Sequence, residues 1–368
     1  MDDDLERALE NLPPAVKAFV DALIAENARL RAEIAELKRH PRRATATITS
    51  EEDHIAEGLP AVKTPRYPDS VMLVSITRRG LAKRTPINAY TAQRRGGIGV
   101  YDIEAAEADP VRLLAVAAAS MSLLIVTSRS RAFRVPVEAI RETGIHGRGA
   151  PVLGSPGLTS GEEVAAVAVL DDNDPRPQLF IATERGWIRR LHRNYLGPNL
   201  QPGTLLYDPR EGGGPAALAW FDEESDVFMV SRLGIGIRFA QKGIPVRGAL
   251  GMRLRPGDAV AGLCAVADDD PVLLVSRDGK AARRRMAAFA AQGPGGQGKI
   301  AMKAEDVVCA MVAHEADEVF CISEGGKIIR FPAAEIPSRP SAVQGVAAME
   351  LVRDRIASVV VSSPPREG

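Results

Sequence analysis

Six times along the chain, an apolar run of β-prone residues breaks at a short polar turn and resumes as a second strand that carries an arginine. The runs read L-V-S-I-T-R-R-G-L-A-K-R from Leu73, I-V-T-S-R-S-R-A-F-R from Ile125, F-I-A-T-E-R-G-W-I-R-R from Phe180, F-M-V-S-R-L-G-I-G-I-R from Phe228, L-L-V-S-R-D-G-K-A-A-R from Leu273 and F-C-I-S-E-G-G-K-I-I-R from Phe320. A turn residue recurs at Gly80, Ser130, Gly186, Gly234, Gly279 and Gly326, and an arginine four places later at Arg84, Arg134, Arg190, Arg238, Arg283 and Arg330. Spacings of 50, 56, 48, 45 and 47 residues fall in the range of propeller blades. Glycine supplies the positive φ that a tight hairpin needs.

A further apolar strand ending in an acidic turn precedes each run, as in V-A-G-L-C-A-V-A-D-D-D, and reads as the first strand of the unit it leads. The unit that begins at Ser70 lacks one, while residues 355–362 (R-I-A-S-V-V-V-S) have the leading pattern and nothing after them. Pairing that last strand with the first unit removes an exposed edge, so the expectation is an all-β, six-bladed propeller-like ring over residues 70–362, with an open spiral as the alternative.

The period changes before residue 40. Val20, Asn27 and Ile34 fall at a positions and Leu23, Leu30 and Leu37 at d, with Glu26 facing Arg31 of a partner and Glu33 facing Lys38. β-Branched a residues, d leucines and one a-position asparagine predict a parallel homodimeric coiled coil over residues 1–40. A helical hairpin with residues 2–11 is the alternative. Residues 41–69 read as a linker and 363–368 as a tail.

Composition adds limits. Hydrophobic residues make up 45% and charged residues 26%, a globular balance. The longest apolar run, Leu113 to Val126, is fourteen residues and too short to span a bilayer, and the acidic start lacks the regions of a secretory signal, so a soluble cytoplasmic, nucleoid-associated protein is expected. Cys264, Cys309 and Cys321 lie in strand-like runs and are expected as buried thiols.

Net charge is zero, but residues 70–368 carry 37 basic against 33 acidic groups, sorted into acidic turns and basic stretches. Besides the six repeated arginines, Arg78, Arg79, Lys83, Arg94, Arg95, Arg129, Arg131, Arg189, Arg193, Lys280, Arg284 and Lys327 are candidate phosphate contacts, since a basic stripe around a ring suits a polyanion. For the repeated arginines, pairing with a neighbouring blade is the competing reading.

One stretch is more specific. Residues 93–99, Q-R-R-G-G-I-G, preceded by G-L-A-K-R-T-P-I-N-A-Y-T-A, resemble the box Q-R-R-G-G-(K or R)-G of the DNA gyrase A C-terminal domain family. The resemblance covers roughly residues 70–362 and implies a β-pinwheel with duplex DNA wrapped on its outer rim. Carried over, Gln93, Arg94, Arg95, Gly96, Gly97 and Gly99 form the box, the arginines meeting phosphates and the glycines letting backbone N–H groups approach an anion. Ile98 stands where that family has a cation. Residues 291–299, A-Q-G-P-G-G-Q-G-K, occupy the matching place in the fifth unit.

The same stretch imitates a nucleotide loop, but Ile300 replaces the required Ser or Thr and no helix pattern follows. The histidines lack metal-ligand spacing, and no cofactor, metal site or catalytic grouping is expected. Gyrase A cuts DNA with a tyrosine of a large module before its first blade. Here 69 residues precede the first blade, so a non-catalytic DNA-binding protein is expected. The rival readings are a detached component that works in trans with a gyrase or topoisomerase IV core, and a protein-binding propeller with no nucleic-acid role.

Overall fold

Each apolar run forms a hairpin around which one blade is built, four-stranded and antiparallel except in blade 5, which has five strands and one parallel pair. In the computed structural model, which describes residue 28, residue 62 and residues 64–365, the hairpin strands are Val71–Thr77 with Leu81–Pro86 in blade 1 and Ser122–Thr127 with Arg131–Pro136 in blade 2. Blades 3 and 4 use Gln178–Thr183 with Trp187–His192 and Asp226–Ser231 with Ile235–Ala240. Blades 5 and 6 use Pro271–Ser276 with Lys280–Arg285 and Glu318–Ser323 with Lys327–Pro332. The six turn residues all have positive φ, from 61° at Ser130 to 89° at Gly186, as the repeat predicts. At five turns the last Ser or Thr of the first strand also accepts the N–H of the residue opening the second, as Thr77 does from Leu81 at 3.0 Å. The coiled-coil positions Val20, Leu23, Asn27, Leu30, Ile34 and Leu37 lie outside the described residues.

The leading strands belong to the preceding blade, not the following one. Val111–Ala118 pairs with Val71–Thr77 of blade 1, and Val260–Val266 pairs with Asp226–Ser231 of blade 4. The expected closure is corrected with it: the last strand, Ile356–Ser362, completes blade 6 by pairing with Glu318–Ser323. The first unit is therefore missing nothing. Both edges of each hairpin are thereby covered: the leading strand that follows it takes the side of its first strand, and a short outer strand takes the side of its second.

Closure comes from the other edge. After its hairpin and a 3₁₀ turn or short loop, each unit sends a two-residue strand back to the blade before it. Ala150–Pro151 borders blade 1, Thr204–Leu205 blade 2, Ala249–Leu250 blade 3 and Lys299–Ile300 blade 4. Ser338–Arg339 and Val346–Ala347 border blade 5, and Val100–Tyr101, from the first unit, borders blade 6 at Lys327 and Ile328. The six leading strands neighbour one another in a closed cycle, including Ile356–Ser362 beside Val111–Ala118. The ring is closed, and the spiral alternative does not hold.

The core lies between blades. In Ser122–Thr127 every residue is buried, and period-two alternation sends Leu123 and Ile125 into a cluster with Met72, Val74 and Ile76 of blade 1 while Leu124 and Val126 join Leu179 of blade 3. Six such clusters fill the six junctions. The leading strands converge on the axis and need small side chains: a Cβ on Gly262 would stand 2.3 Å from the backbone nitrogen of Ala310 in the next blade. Cys264, Cys309 and Cys321 are buried, and burial pushes the Cys309 thiol up to about 12.

Acidic groups anchor turns internally. Burial of Glu162 by itself would raise its pKa, but hydrogen bonds from Thr127, from the Thr159 hydroxyl and backbone N–H, and from Arg131 at 2.6 Å outweigh this and hold it at about 2. A carboxylate with a depressed folded pKa stabilises above its unfolded pKa and loses that contribution as pH falls through the folded value. Glu162→Gln is therefore expected to cost on the order of 2 kcal/mol at pH 7. In urea melts across pH, the gap from wild type should narrow below about pH 4 and close near pH 2. A gap independent of pH contradicts this assignment.

Candidate nucleic-acid interface

The Q-R-R-G-G-I-G loop is the link that joins blade 1 to blade 6. Gln93 N–H donates to the Arg330 carbonyl at 2.7 Å, Gly96 N–H to that of Ala348 at 2.8 Å, and the Gly97 carbonyl accepts from Glu350 N–H at 3.0 Å. Gly99 has φ +72°, and a Cβ there would stand 2.5 Å from the Ile328 carbonyl oxygen. The A-Q-G-P-G-G-Q-G-K loop repeats these bonds between blades 5 and 4. Gln292 N–H meets the Arg238 carbonyl at 2.8 Å, Gly295 N–H that of Gly251 at 2.9 Å, and the Gly296 carbonyl accepts from Arg253 N–H at 2.9 Å. One loop is used twice. The Ala-Gln and glycine pattern serves backbone packing, so the expectation that these glycines present N–H groups to an anion is corrected for Gly96 and Gly97. In the second loop Lys299 turns onto the Ala288 carbonyl and the Phe289 ring.

Behind the first loop lies a buried charged group. Asp102 accepts from Ser75 and from Tyr90, each at 2.5 Å, and pairs with Lys83 Nζ at 2.6 Å. Burial lowers the Lys83 pKa, with Asp102 opposing, and raises that of Tyr90. Lys83 is fully buried and belongs to this network, not to a surface.

The repeated arginine is a clamp on the next unit. Arg84 donates to the Ile140 carbonyl at 2.9 Å, Arg134 to Leu196 at 2.8 Å, Arg238 to Met286 at 3.3 Å, Arg283 to Ile336 at 2.5 Å and Arg330 to Tyr90 at 2.9 Å. Each acceptor belongs to the 3₁₀ turn, or the residue ending it, after the following hairpin. Ion pairs complete them: Arg84 with Glu142, Arg134 with Asp172, Arg238 with Asp226 and Asp268, Arg330 with Glu318. Arg283 and Arg330 are 2% and 1% exposed. Arg284 is buried too, its guanidinium on the Ala301 and Pro340 carbonyls and against Phe289. As phosphate contacts, Arg238, Arg283, Arg284, Arg330 and Lys83 are corrected, because their donors face inward. Arg190 departs from the pattern and makes no such clamp among the described residues.

The remaining candidates fall into three places. Arg78, Arg79, Arg129, Arg131, Lys280 and Lys327 sit at the hairpin turns, where Arg78 pairs with Glu163, Arg131 with Glu162 and Lys280 with Asp278. Arg129 binds Thr159 and Ser160, Lys327 covers Tyr101, and Arg79 is exposed. Arg189 and Arg193 lie on the aromatic rings of Tyr207 and Trp220, bonded to the Arg247 and Asp171 carbonyls. On the perimeter, Arg94 is exposed, and Arg95 is half-buried with Nη1 on the Ala347 carbonyl. Ile98, where the Q-R-R-G-G-(K or R)-G box has a cation, is 51% exposed.

The loops feeding the other outer strands also carry exposed cations: Arg141 and Arg148, Lys242 and Arg247, Arg285 and Lys299, and Arg339. All but Arg285, which ends the stretch K-A-A-R-R-R, escape a search for dense basic motifs because each stands nearly alone in sequence. Their shared place, from the end of a hairpin to the outer strand that follows it, is the signal that finds them. The third unit's loop, residues 193–205, has no exposed cation and instead exposes Tyr195 and Leu205. The perimeter charge thus runs from blade 3 through blades 4, 5 and 6 to blade 1, and lapses at blade 2. Among the described residues no cluster of His, Cys, Asp or Glu suits a metal, and no helix is long and apolar enough to cross a membrane.

Comparisons with known proteins agree with this architecture. The family described as "DNA gyrase C-terminal domain, beta-propeller" matches residues 72–108, 122–171, 225–263, 270–306 and 317–363. The longest interval between these segments, 172–224, holds the hairpin of Arg190. The DNA gyrase A protein of Mycolicibacterium smegmatis is 27% identical over 291 residues, covering 76% of this chain and 35% of that protein. Its Staphylococcus epidermidis counterpart is 24% identical over 377 residues, covering 97% and 41%. The chain thus spans 35% and 41% of the length of these relatives. A solved DNA gyrase A C-terminal domain superposes with a TM-score of 0.69 at 21% identity, covering 78% of this chain and 98% of that one. The C-terminal domain of DNA topoisomerase IV gives 0.57 at 15%, covering 80% and 94%.

The clamps make a contrast that thermal unfolding can read. Arg330→Ala strands the buried Glu318 and frees the Tyr90 and Pro65 carbonyls, with an expected cost of about 3–5 kcal/mol. Arg190→Ala should fall within about 0.5 kcal/mol of wild type. Equal effects would refute the clamp.

Proposed function

The chain belongs to the family of DNA gyrase C-terminal β-propeller domains, and from that membership we propose that its ring binds duplex DNA along the perimeter, bends it and so changes DNA topology. The observation that carries this reading is the placement of exposed cations on the swapped outer loops, Arg94, Arg141, Arg148, Lys242, Arg247, Arg285, Lys299 and Arg339. A curved row of guanidinium and ammonium groups offers phosphate contacts without reading bases, so binding is sequence-tolerant. Bending a site of 20–30 base pairs costs about 1–6 kcal/mol, which the released counterions and the added contacts offset. The path follows the charged arc from blade 3 to blade 1, and the duplex departs at blade 2. Arg94 and Arg95, of the cations first picked out by sequence, keep a place in this surface.

The ring's own part is mechanical: it holds and curves DNA and performs no bond chemistry. Its relatives are much longer gyrase A proteins, which favours action beside a type IIA topoisomerase core in the cytoplasm. Pairing of two rings through residues 1–40 would add a second DNA segment by avidity.

Salt titration of binding to a linear duplex tests the contact mode. With about six phosphates neutralised, log Kd should rise with log salt at a slope of about 5. Arg141→Ala/Arg285→Ala should lower that slope by about 2. Closed circles relaxed and resealed with the protein should shift in linking number, and Arg94→Ala/Arg95→Ala should reduce the shift. A flat titration with unchanged linking number would instead support a protein-binding ring.

A further inference from the structure

The axis of the ring holds charge that the perimeter reading does not use. The first turn residues of the six hairpins are Arg78, Ser128, Glu184, Arg232, Arg277 and Glu324. Arg232 and Arg277, together with Arg112 of the leading strand of blade 1, line a cavity of about 170 Å³ between the leading strands. Its other walls are largely alanine, valine and proline, and Glu184 is the one carboxylate among them.

Arg112 and Arg277 are incompletely compensated, while Arg232 is half-exposed and its bond to Asp306 raises its pKa. Arg232 Nε lies 2.7 Å from Asp306 Oδ1, and Arg277 Nε lies 2.9 Å from the other oxygen of the same carboxylate, so one acid serves two bases. Arg277 also meets Glu324 at 2.5 Å, yet its Nε is sealed from solvent without a well-directed hydrogen bond. Among the described residues Arg112 has neither an ion pair nor a side-chain hydrogen bond. Burial lowers its pKa, nearby Arg277 and Arg78 lower it further, and Glu163 and Glu184 oppose them. A cation held partly out of water among like charges carries a penalty that a fitted anion relieves.

We propose that the cavity binds one small, free tetrahedral oxyanion of the inorganic phosphate class, held by the forks of Arg112, Arg232 and Arg277. Planar guanidinium groups match such an oxyanion in a bidentate manner, and the apolar wall strengthens the attraction. Glu184 restricts the site to a compact ligand that leaves the carboxylate uncrowded. A duplex cannot enter a space of this volume, so the site is independent of the perimeter and of the DNA reading.

Calorimetric titration of the full chain with inorganic phosphate, against sodium chloride at matched ionic strength, tests this. The expected result is saturable binding at one site per chain, with a Tm several degrees higher in phosphate at saturation. Arg112→Leu should weaken phosphate binding at least tenfold while raising the Tm in chloride, because it removes an uncompensated cation. Arg112→Gln serves as a second variant with the same loss of binding. Arg94→Ala/Arg141→Ala should leave phosphate binding unchanged, which separates the axial site from the perimeter. Phosphate binding no stronger than the chloride control, equal binding by both Arg112 variants and wild type, or binding lost in the perimeter variant would overturn the proposal.

Discussion

A strand two residues long, handed by each unit to the blade before it, carries the ring. An isolated hairpin is marginal in water, and a blade that ended at its arginine strand would present bare N–H and C=O groups to solvent. Exchange of edges meets both problems together: every blade contains chain from its neighbour, and no junction can open without breaking a ladder as well as a core cluster. Around this exchange the other devices are arranged. The outer loop crosses to the preceding blade on glycines that fit against its backbone, and the arginine of that blade reaches across to the carbonyls of the arriving 3₁₀ turn. Arg330 on Tyr90 and Gly99 against Ile328 are the last instance of a joint made five times before, with Arg190 the exception to the clamp.

The hairpins were plain in the sequence because their burial is local and periodic. A strand packed on both faces must be apolar throughout, and its turn must hold a positive φ; both facts are written in consecutive letters such as F-M-V-S-R-L-G. The partner of each leading strand was not, because V-A-G-L-C-A-V is equally suited to the hairpin before it and the one after it. Only connection geometry decides. The outer strands were invisible for a different reason: two residues such as Val100 and Tyr101 carry no period at all.

The cations teach a similar lesson. Repetition drew attention to Arg84, Arg134, Arg238, Arg283 and Arg330, and repetition is what a structural joint shows in a six-fold array. Groups that serve a long polyanion need only a common radius, not a common register, and so Arg148, Lys242 and Arg285 sit at different steps of their loops. Density misled as well. In K-A-A-R-R-R, successive side chains alternate in direction, and Arg283 and Arg284 both end inside while Arg285 alone stays in water.

The joint between the first loop and the last hairpin spans the molecule: 240 residues separate Tyr90 from the arginine that holds it. Contacts so distant in sequence form late, because the chain must be ordered over its whole length before they reward it. During synthesis the first unit therefore waits with an unmatched edge until the sixth has emerged. Truncation anywhere in the final blade would leave not a smaller ring but an open stack with two adhesive ends.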